Sequence, residues 1–224
     1  MKNLITSAIL SFALLAVCAG SSALAAPPDK DANEAYWWWG DPVGTSRIVR
    51  TDNGISGNIR VHLANDVGSA KGLAVTLWLV FFNNPGACAV ANVCGDDADF
   101  GNPDVKPDVV YGGGNVVGAS ENTSIGFHYK KGENTGSISD IFFLPLNDEG
   151  EGFGLLNPRG AEVHYVLRFH GPVDPAAMPE QVKTYGGGCV DFAPYGYPSP
   201  MGPDELYLDP GQCQDVIFAI NSPP

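Results

Sequence analysis

Alternation of apolar and polar residues is the dominant pattern along the chain, and it predicts β-strands. Residues 59–63, 125–129 and 163–170 each place apolar side chains on one face and mostly polar side chains on the other. This period of two is typical of a half-buried strand. Residues 73–82 and 138–146 are more continuously apolar, which favours central strands that are covered on both faces.

Turn residues divide the strands. Residues 47–51 and 55–63 flank Asp52-Asn53-Gly54, and they predict a hairpin because Asn-Gly readily adopts the positive φ angles of a tight turn. Further short apolar segments bring the predicted total to eight or nine strands, namely 109–111, 116–117 and 215–220. Helical periodicity is confined to residues 179–185.

A chain with so little helix does not build βαβ crossovers, so the remaining architectures are two packed antiparallel sheets or a closed barrel. Three long irregular stretches, 83–108, 147–158 and 171–214, make the connections uneven in length. Uneven connections favour the sandwich. We therefore predict an all-β, antiparallel β-sandwich, Ig-like or jelly-roll-like, with long disulfide-stapled loops.

The N-terminus has the features of a secretory signal peptide. Lys2 is followed by an apolar run over residues 5–17 and by Ala23-Leu24-Ala25, a small-residue cleavage site. The run is 13 residues long, whereas a membrane-spanning helix needs about 20. We predict a signal peptide over residues 1–25, cleaved near Ala25, and a single secreted or periplasmic domain over residues 26–224 with no membrane span.

Lipidation is the alternative to simple cleavage. Leu15-Ala16-Val17-Cys18 resembles a lipoprotein attachment site. Such sites usually carry a small residue just before the cysteine, and here that residue is Val17. Ordinary cleavage is therefore the favoured interpretation.

The composition describes an acidic, folded protein. The chain has 12 basic and 25 acidic residues; without Lys2 the count is 11 basic and 25 acidic, a formal charge of −14. Nucleic acids and anionic membrane surfaces both require Lys and Arg, so neither is a predicted partner. With 28 Gly and 18 Pro but 44% apolar residues, the chain is rich in turns and still able to form a core.

Export determines the expected chemical state of the cysteines. In an oxidising compartment Cys88, Cys94, Cys189 and Cys213 are expected to form disulfides. Of the three connectivities, we favour Cys88 with Cys94 and Cys189 with Cys213, since each pair would close one long loop.

Polar residues on one predicted strand suggest a binding surface. His164, Arg168 and His170 share the face opposite the apolar residues. His164 and His170 are six residues, or roughly 20 Å, apart, so they do not chelate one metal together. A metal site would need a neighbouring strand to supply His62 or His128; solvated strand faces are the simpler interpretation.

Three consecutive tryptophans follow the cleavage site. Alternation directs Trp37 and Trp39 one way and Trp38 the other, and burial of these rings would hold an N-terminal strand against the sheet. Aromatic faces also stack on ligands. Trp38 is therefore a candidate ligand-binding residue together with His164, Arg168 and His170.

An acidic segment supplies the hard oxygen ligands that calcium prefers. Its candidate ligands are Asp96, Asp97, Asp99 and Asp104. The spacing is not that of an EF-hand. Calcium is thus a candidate cofactor, and a charged, solvated turn is the alternative.

Catalytic signatures such as G-x-S-x-G, H-E-x-x-H and the Walker loop are absent from the sequence. Our first hypothesis is therefore an exported, non-catalytic domain that binds an envelope or extracellular ligand or partner through its loops. The alternative is a metal-dependent hydrolase or oxidoreductase that uses surface histidines or loop carboxylates.

One segment carries a family resemblance. GFGLLNPRGAEVHYVLRFHGP, residues 152–172, with Gly186-Gly187-Gly188-Cys189 downstream, resembles a signature of uncharacterised secreted bacterial proteins. The resemblance implies a secreted β domain and no activity. His170-Gly171-Pro172 is also faintly similar to the histidine strand and Gly-Pro turn of chordin-type CHRD domains, although the paired H-x-H of that domain is missing.

Overall fold

The computed structural model describes residues 26–63, 69–190 and 210–224. The helices in this part of the chain are a 3₁₀ turn at Pro85–Ala87 and two single-turn helices, α1 (Asp97–Phe100) and α2 (Met178–Gln181). None of them is long and apolar enough to cross a membrane. The strands are β1 (Asp29–Trp37), β2 (Pro42–Thr51), β3 (Gly54–His62), β4 (Leu73–Phe82), β5 (Pro107–Val116), β6 (Asn122–Lys130), β7 (Glu162–Pro172) and β8 (Gln214–Asn221).

All eight strands belong to one sheet, in the order β5-β4-β7-β8-β1-β2-β3-β6, and every neighbouring pair is antiparallel. The sheet curves until its two end strands meet. Asn115 Nδ2 on β5 donates to Thr123 Oγ1 on β6 at 3.2 Å, and the Tyr129 hydroxyl donates to the Tyr111 carbonyl at 2.9 Å. The predicted all-β antiparallel class is confirmed, and its strands form one nearly closed sheet.

Around β4 and β7 the sheet is covered by apolar side chains on both of its faces. Alternate residues of β4 and β7, such as Leu77 and Leu167, point inward to the main core. On the outer side Trp78 and Phe82 of β4 pack into a second apolar cluster with loop residues such as Tyr185. All ten residues of β4 are therefore buried, as its continuous apolar sequence predicts.

Several local predictions hold. The β2–β3 hairpin turns at Asp52 and Asn53. Trp37 is buried and its ring stacks on Trp39 at 4.7 Å, whereas Trp38 lies on the opposite side against Phe218. The tryptophans therefore alternate as expected of a strand end.

The predicted strand at residues 138–146 is wrong. This segment consists of turns, and at Phe143 the backbone has φ of +54°, which does not continue a strand. Its apolar side chains instead cover the outer apolar cluster.

The predicted helix over residues 179–185 is only partly present, because α2 ends at Gln181. Segment 109–111 and Val116 belong to one strand, β5, which ends before Val117.

A buried arginine fastens the connection before β7 to the sheet. Arg50 on β2 donates to the carbonyls of Pro158 at 3.0 Å, Ala161 at 2.7 Å and Asn221 at 2.8 Å. The side chain is almost fully buried, and this burial lowers the pKa of Arg50. The alternation of β2 gives no indication of this role.

We predict that Arg50→Ala lowers the free energy of unfolding by about 3 kcal/mol, because three buried carbonyls lose their donor. Urea denaturation at pH 7 measures the change. Arg60→Ala is the matched control, since Arg60 is exposed on β3, and it should change the value by less than about 0.5 kcal/mol. Equal effects of the two substitutions would contradict the structural role of Arg50.

Candidate functional site

A cleft lies on the outer side of the sheet, where β4, β5, β7 and β8 are overlaid by three covering loops. We name these the first (residues 83–106), second (131–161) and third (173–190 and 210–213) covering loops. The cleft has a volume of about 670 Å³, which falls within the range of about 300 to 1,000 Å³ of small-molecule sites. Six aromatic side chains line it: Trp78, Phe100, Phe142, Phe143, Tyr185 and Phe218.

Both disulfides lie in the covering loops, with the expected pairing. Cys88 is bonded to Cys94 within the first loop, and Cys189 is bonded to Cys213 across the third. Tyr185 lies four residues before Cys189, and Asp215 lies two residues after Cys213. The second disulfide therefore connects the two segments that form one wall of the cleft.

Arg168, one of the predicted ligand-binding residues, holds that wall together. Its Nε donates to the Tyr185 carbonyl at 2.9 Å, and its Nη1 pairs with Asp215 Oδ1 at 3.0 Å. The guanidinium carbon lies 3.9 Å from the centre of the Tyr185 ring. The Tyr185 hydroxyl donates to Asp215 Oδ2, and burial followed by the negative charge of Asp215 raises the pKa of Tyr185. Arg168 is therefore a positioning residue behind the cleft surface.

His170 is fully buried, so the solvated-face interpretation is wrong for this residue. Its Nδ1 lies 2.8 Å from the Gly187 carbonyl and its Nε2 lies 2.8 Å from Thr76 Oγ1. The strand alternates as predicted, but the third covering loop occupies the polar face. Burial, with a smaller contribution from the charge of Arg168, lowers the pKa of His170 to about 4.

The other predicted ligand-binding residues occupy different positions. His164 pairs with the buried Glu162 at 2.7 Å and packs against Phe82. Trp38 is 52% exposed and contacts Phe218, which lines the cleft. Of the four residues, Trp38 is thus the one with an exposed aromatic face next to the cleft. The remaining histidines are exposed, His62 beside Asn122 and His128 beside Ser56.

The four predicted calcium ligands do not converge. Asp96 caps α1, Asp97 lines the cleft and Asp104 is exposed. Among residues 26–63, 69–190 and 210–224, no three carboxylates are grouped closely enough to hold a metal ion. The geometry therefore does not support the calcium hypothesis.

Asp99 organises the first covering loop instead. Its carboxylate accepts backbone N–H bonds from Ala89 at 2.6 Å, Gly95 at 2.9 Å and Asp96 at 3.0 Å. Burial acts to raise the pKa of Asp99, but these three donors outweigh it and the pKa is lowered.

The sequence predicts the irregular stretch 147–158 of the second covering loop, but the part of that loop before it was missed. Phe142 and Phe143 were assigned to a strand, whereas they lie at the cleft. Phe143 is 76% exposed and has a positive φ, a strained conformation for a bulky residue. Strain of this kind is concentrated at binding and catalytic sites. The hydrophobicity of this segment was visible in the sequence, but its turn geometry was not.

One group of three metal-type side chains does converge within the described part of the chain, namely His170, Cys189 and Cys213. The two cysteines are joined in a disulfide, so their sulfurs are not thiolate ligands in this state.

Comparison with known proteins adds no further constraint: no protein-family model, curated protein or solved structure matches the chain. The functional argument therefore depends on the geometry of the cleft.

We predict that His170 makes folding sensitive to mild acid. The ordinary histidine pKa is 6.5 and that of His170 is about 4, so the unfolded chain binds a proton first. The contribution of neutral His170 to the free energy of unfolding should be fully present above pH 6.5. It should fall by up to about 3 kcal/mol as the pH drops to 4. Urea denaturation across this range should show a smaller loss for His170→Gln, while His62→Gln should behave as the wild-type protein does. Parallel pH profiles for wild type and His170→Gln would contradict the prediction.

Asp99→Asn should destabilise the fold at pH 7 by about 2 kcal/mol, because a charged acceptor of three N–H groups is lost. The lowered pKa of Asp99 means that its contribution is present above the ordinary pKa of 3.8 and is lost as the pH falls below that value. The difference between variant and wild type should therefore shrink between pH 4 and pH 2. Thermal denaturation measures it, with the exposed Asp104→Asn as control; a difference independent of pH would refute this role.

Proposed function

We propose that this protein is an exported, non-catalytic binding domain that holds a small apolar ligand in the outer cleft. The aromatic lining of the 670 Å³ cleft is the observation that carries the proposal. Large pockets lined by aromatic side chains with a few polar groups are the usual form of small-molecule sites. Secretion or periplasmic location is supported by the N-terminal signal features and by two disulfides.

The charges at the cleft favour a neutral or cationic ligand. The charged residues among its lining are both acidic, Asp97 and Asp215. Arg168 is turned to Asp215 and Tyr185 and is about 1% exposed. An anionic group would therefore meet carboxylates without a free cation beside them.

The polar groups at the cleft wall support binding in preference to catalysis. Arg168, Tyr185 and Asp215 bond to one another, and such mutually satisfied networks stabilise one conformation. The rim differs from this wall, because Phe143 presents an exposed ring there. A ligand that covers this ring would gain both apolar burial and ring contact.

Two matched fluorescent probes test the proposal. N-phenyl-1-naphthylamine is neutral, and 1-anilinonaphthalene-8-sulfonate has the same ring skeleton with an added negative charge. We expect saturable binding of the neutral probe and at least tenfold weaker binding of the sulfonate. Fluorescence titration of the oxidised, folded protein measures both dissociation constants.

Phe143→Ala should weaken binding of the neutral probe about tenfold, since loss of a stacking ring is worth about 1.4 kcal/mol. Alanine at position 143 has to adopt the same positive φ as Phe143, so the substitution mainly removes the aromatic ring. Val90→Ala removes an exposed apolar side chain of the first covering loop that does not line the cleft, and it should leave affinity unchanged. Absence of saturable binding, or equal effects of both substitutions, would overturn the proposal.

A further inference from the structure

The second disulfide is in direct contact with a buried imidazole. His170 Nδ1 lies 3.6 Å from Cys213 Sγ and 3.8 Å from Cys189 Sγ. In a tetrahedral zinc site, bond lengths of about 2.3 Å to sulfur and 2.0 Å to nitrogen place neighbouring N and S ligands about 3.5 Å apart. The imidazole nitrogen is therefore already at the distance from each sulfur that metal ligation requires. The two sulfurs have to separate, and the Gly187 carbonyl that faces Nδ1 has to turn away.

We propose that reduction of the Cys189–Cys213 disulfide converts this cluster into a three-ligand site for a thiophilic metal ion such as Zn²⁺ or Cu⁺. The ligands are the two thiolates and His170 Nδ1. A dithiol reductant supplies two electrons and two protons to the disulfide and becomes a disulfide itself. Binding of the metal then displaces the two thiol protons.

The hydrogen bonds of His170 permit this change. Because the Gly187 carbonyl only accepts, Nδ1 carries the proton in the oxidised protein and Nε2 accepts from the Thr76 hydroxyl. On metal binding the proton moves to Nε2. Thr76 Oγ1 already accepts from Trp78 Nε1 at 2.9 Å, and a hydroxyl has two acceptor positions, so it accepts the Nε2 proton as well. Metal-bound histidines usually donate their second N–H in this way.

Two further features favour the site. The Gly187 carbonyl, which loses its donor, lies within Gly186-Gly187-Gly188, where glycine allows the peptide to turn. Cys189 is partly exposed whereas Cys213 is buried, so the reductant and the metal approach from Cys189.

Cobalt(II) is the probe for the test, because its thiolate charge-transfer and ligand-field bands report tetrahedral sulfur coordination. The protein is the Cys88→Ser/Cys94→Ser variant, which retains only the second disulfide, reduced with a phosphine under anaerobic conditions. We expect one equivalent of Co²⁺ to bind with thiolate bands while near-ultraviolet circular dichroism remains native. The oxidised variant should show no such bands, and the matched Cys189→Ser/Cys213→Ser variant should show none after the same treatment.

The role of His170 is tested separately. His170→Gln in the Cys88→Ser/Cys94→Ser background should weaken Co²⁺ binding at least about tenfold. A second measurement keeps His170 in place. The reduced Cys88→Ser/Cys94→Ser variant is labelled with ¹⁵N at its histidines, and the NMR signals of the nitrogens of one imidazole should shift on addition of Zn²⁺. Absence of thiolate bands, loss of the native dichroism on reduction, or no imidazole shift would each overturn the proposal.

Discussion

Burial of the outer face of β4 and β7 is the constraint on which the rest of the structure depends. Trp78, Val80 and Phe82 project from β4 on the side away from the main core, and leaving such side chains in water costs about 2 kcal/mol each. In many β proteins a second sheet or a helix covers such a face. Here the covering is provided by loops, which lack the repeating hydrogen bonds of a sheet or a helix and must be held in place by other contacts.

Buried polar side chains of the strands hold those loops. Glu162 on β7 accepts the Cys94 N–H of the first covering loop at 3.0 Å. Asp108 on β5 accepts from Ser137, Ser139 and Gly154 of the second loop, and burial raises its pKa. Arg168 and His170 on β7 bond to carbonyls of the third loop. Each loop therefore has its own charged or polar contact with the sheet, and the two disulfides add covalent closure within the first and third.

The cleft follows from the same arrangement. Because the loops are held at separate points, they leave a space over the apolar face. Aromatic side chains from both the strands and the loops line this space. The alternating polar residues of β7 therefore support the cleft and are largely hidden behind it. The disulfide beside His170 lies at the edge of this support and closes the loop that supplies Tyr185.

Local pattern predicted the elements whose stabilising contacts repeat along the chain. The alternation of β7 and of Trp37 and Trp38 was evident because residues two apart share one face of a strand. The continuous apolar run predicted β4, and Asn-Gly predicted the β2–β3 hairpin. Close spacing within a loop likewise predicted both disulfide pairs.

Tertiary structure alone decided what covers the outer face. The apolar run at 138–146 has the composition of a strand, but most of it lies in turns, and its side chains Ile138, Phe142 and Leu144 cover the outer apolar cluster. His170 is predicted to be a solvated strand residue, yet the third covering loop buries it. A period-two pattern records which side chains share a face, whereas contacts between a strand and a distant loop set whether that face meets water.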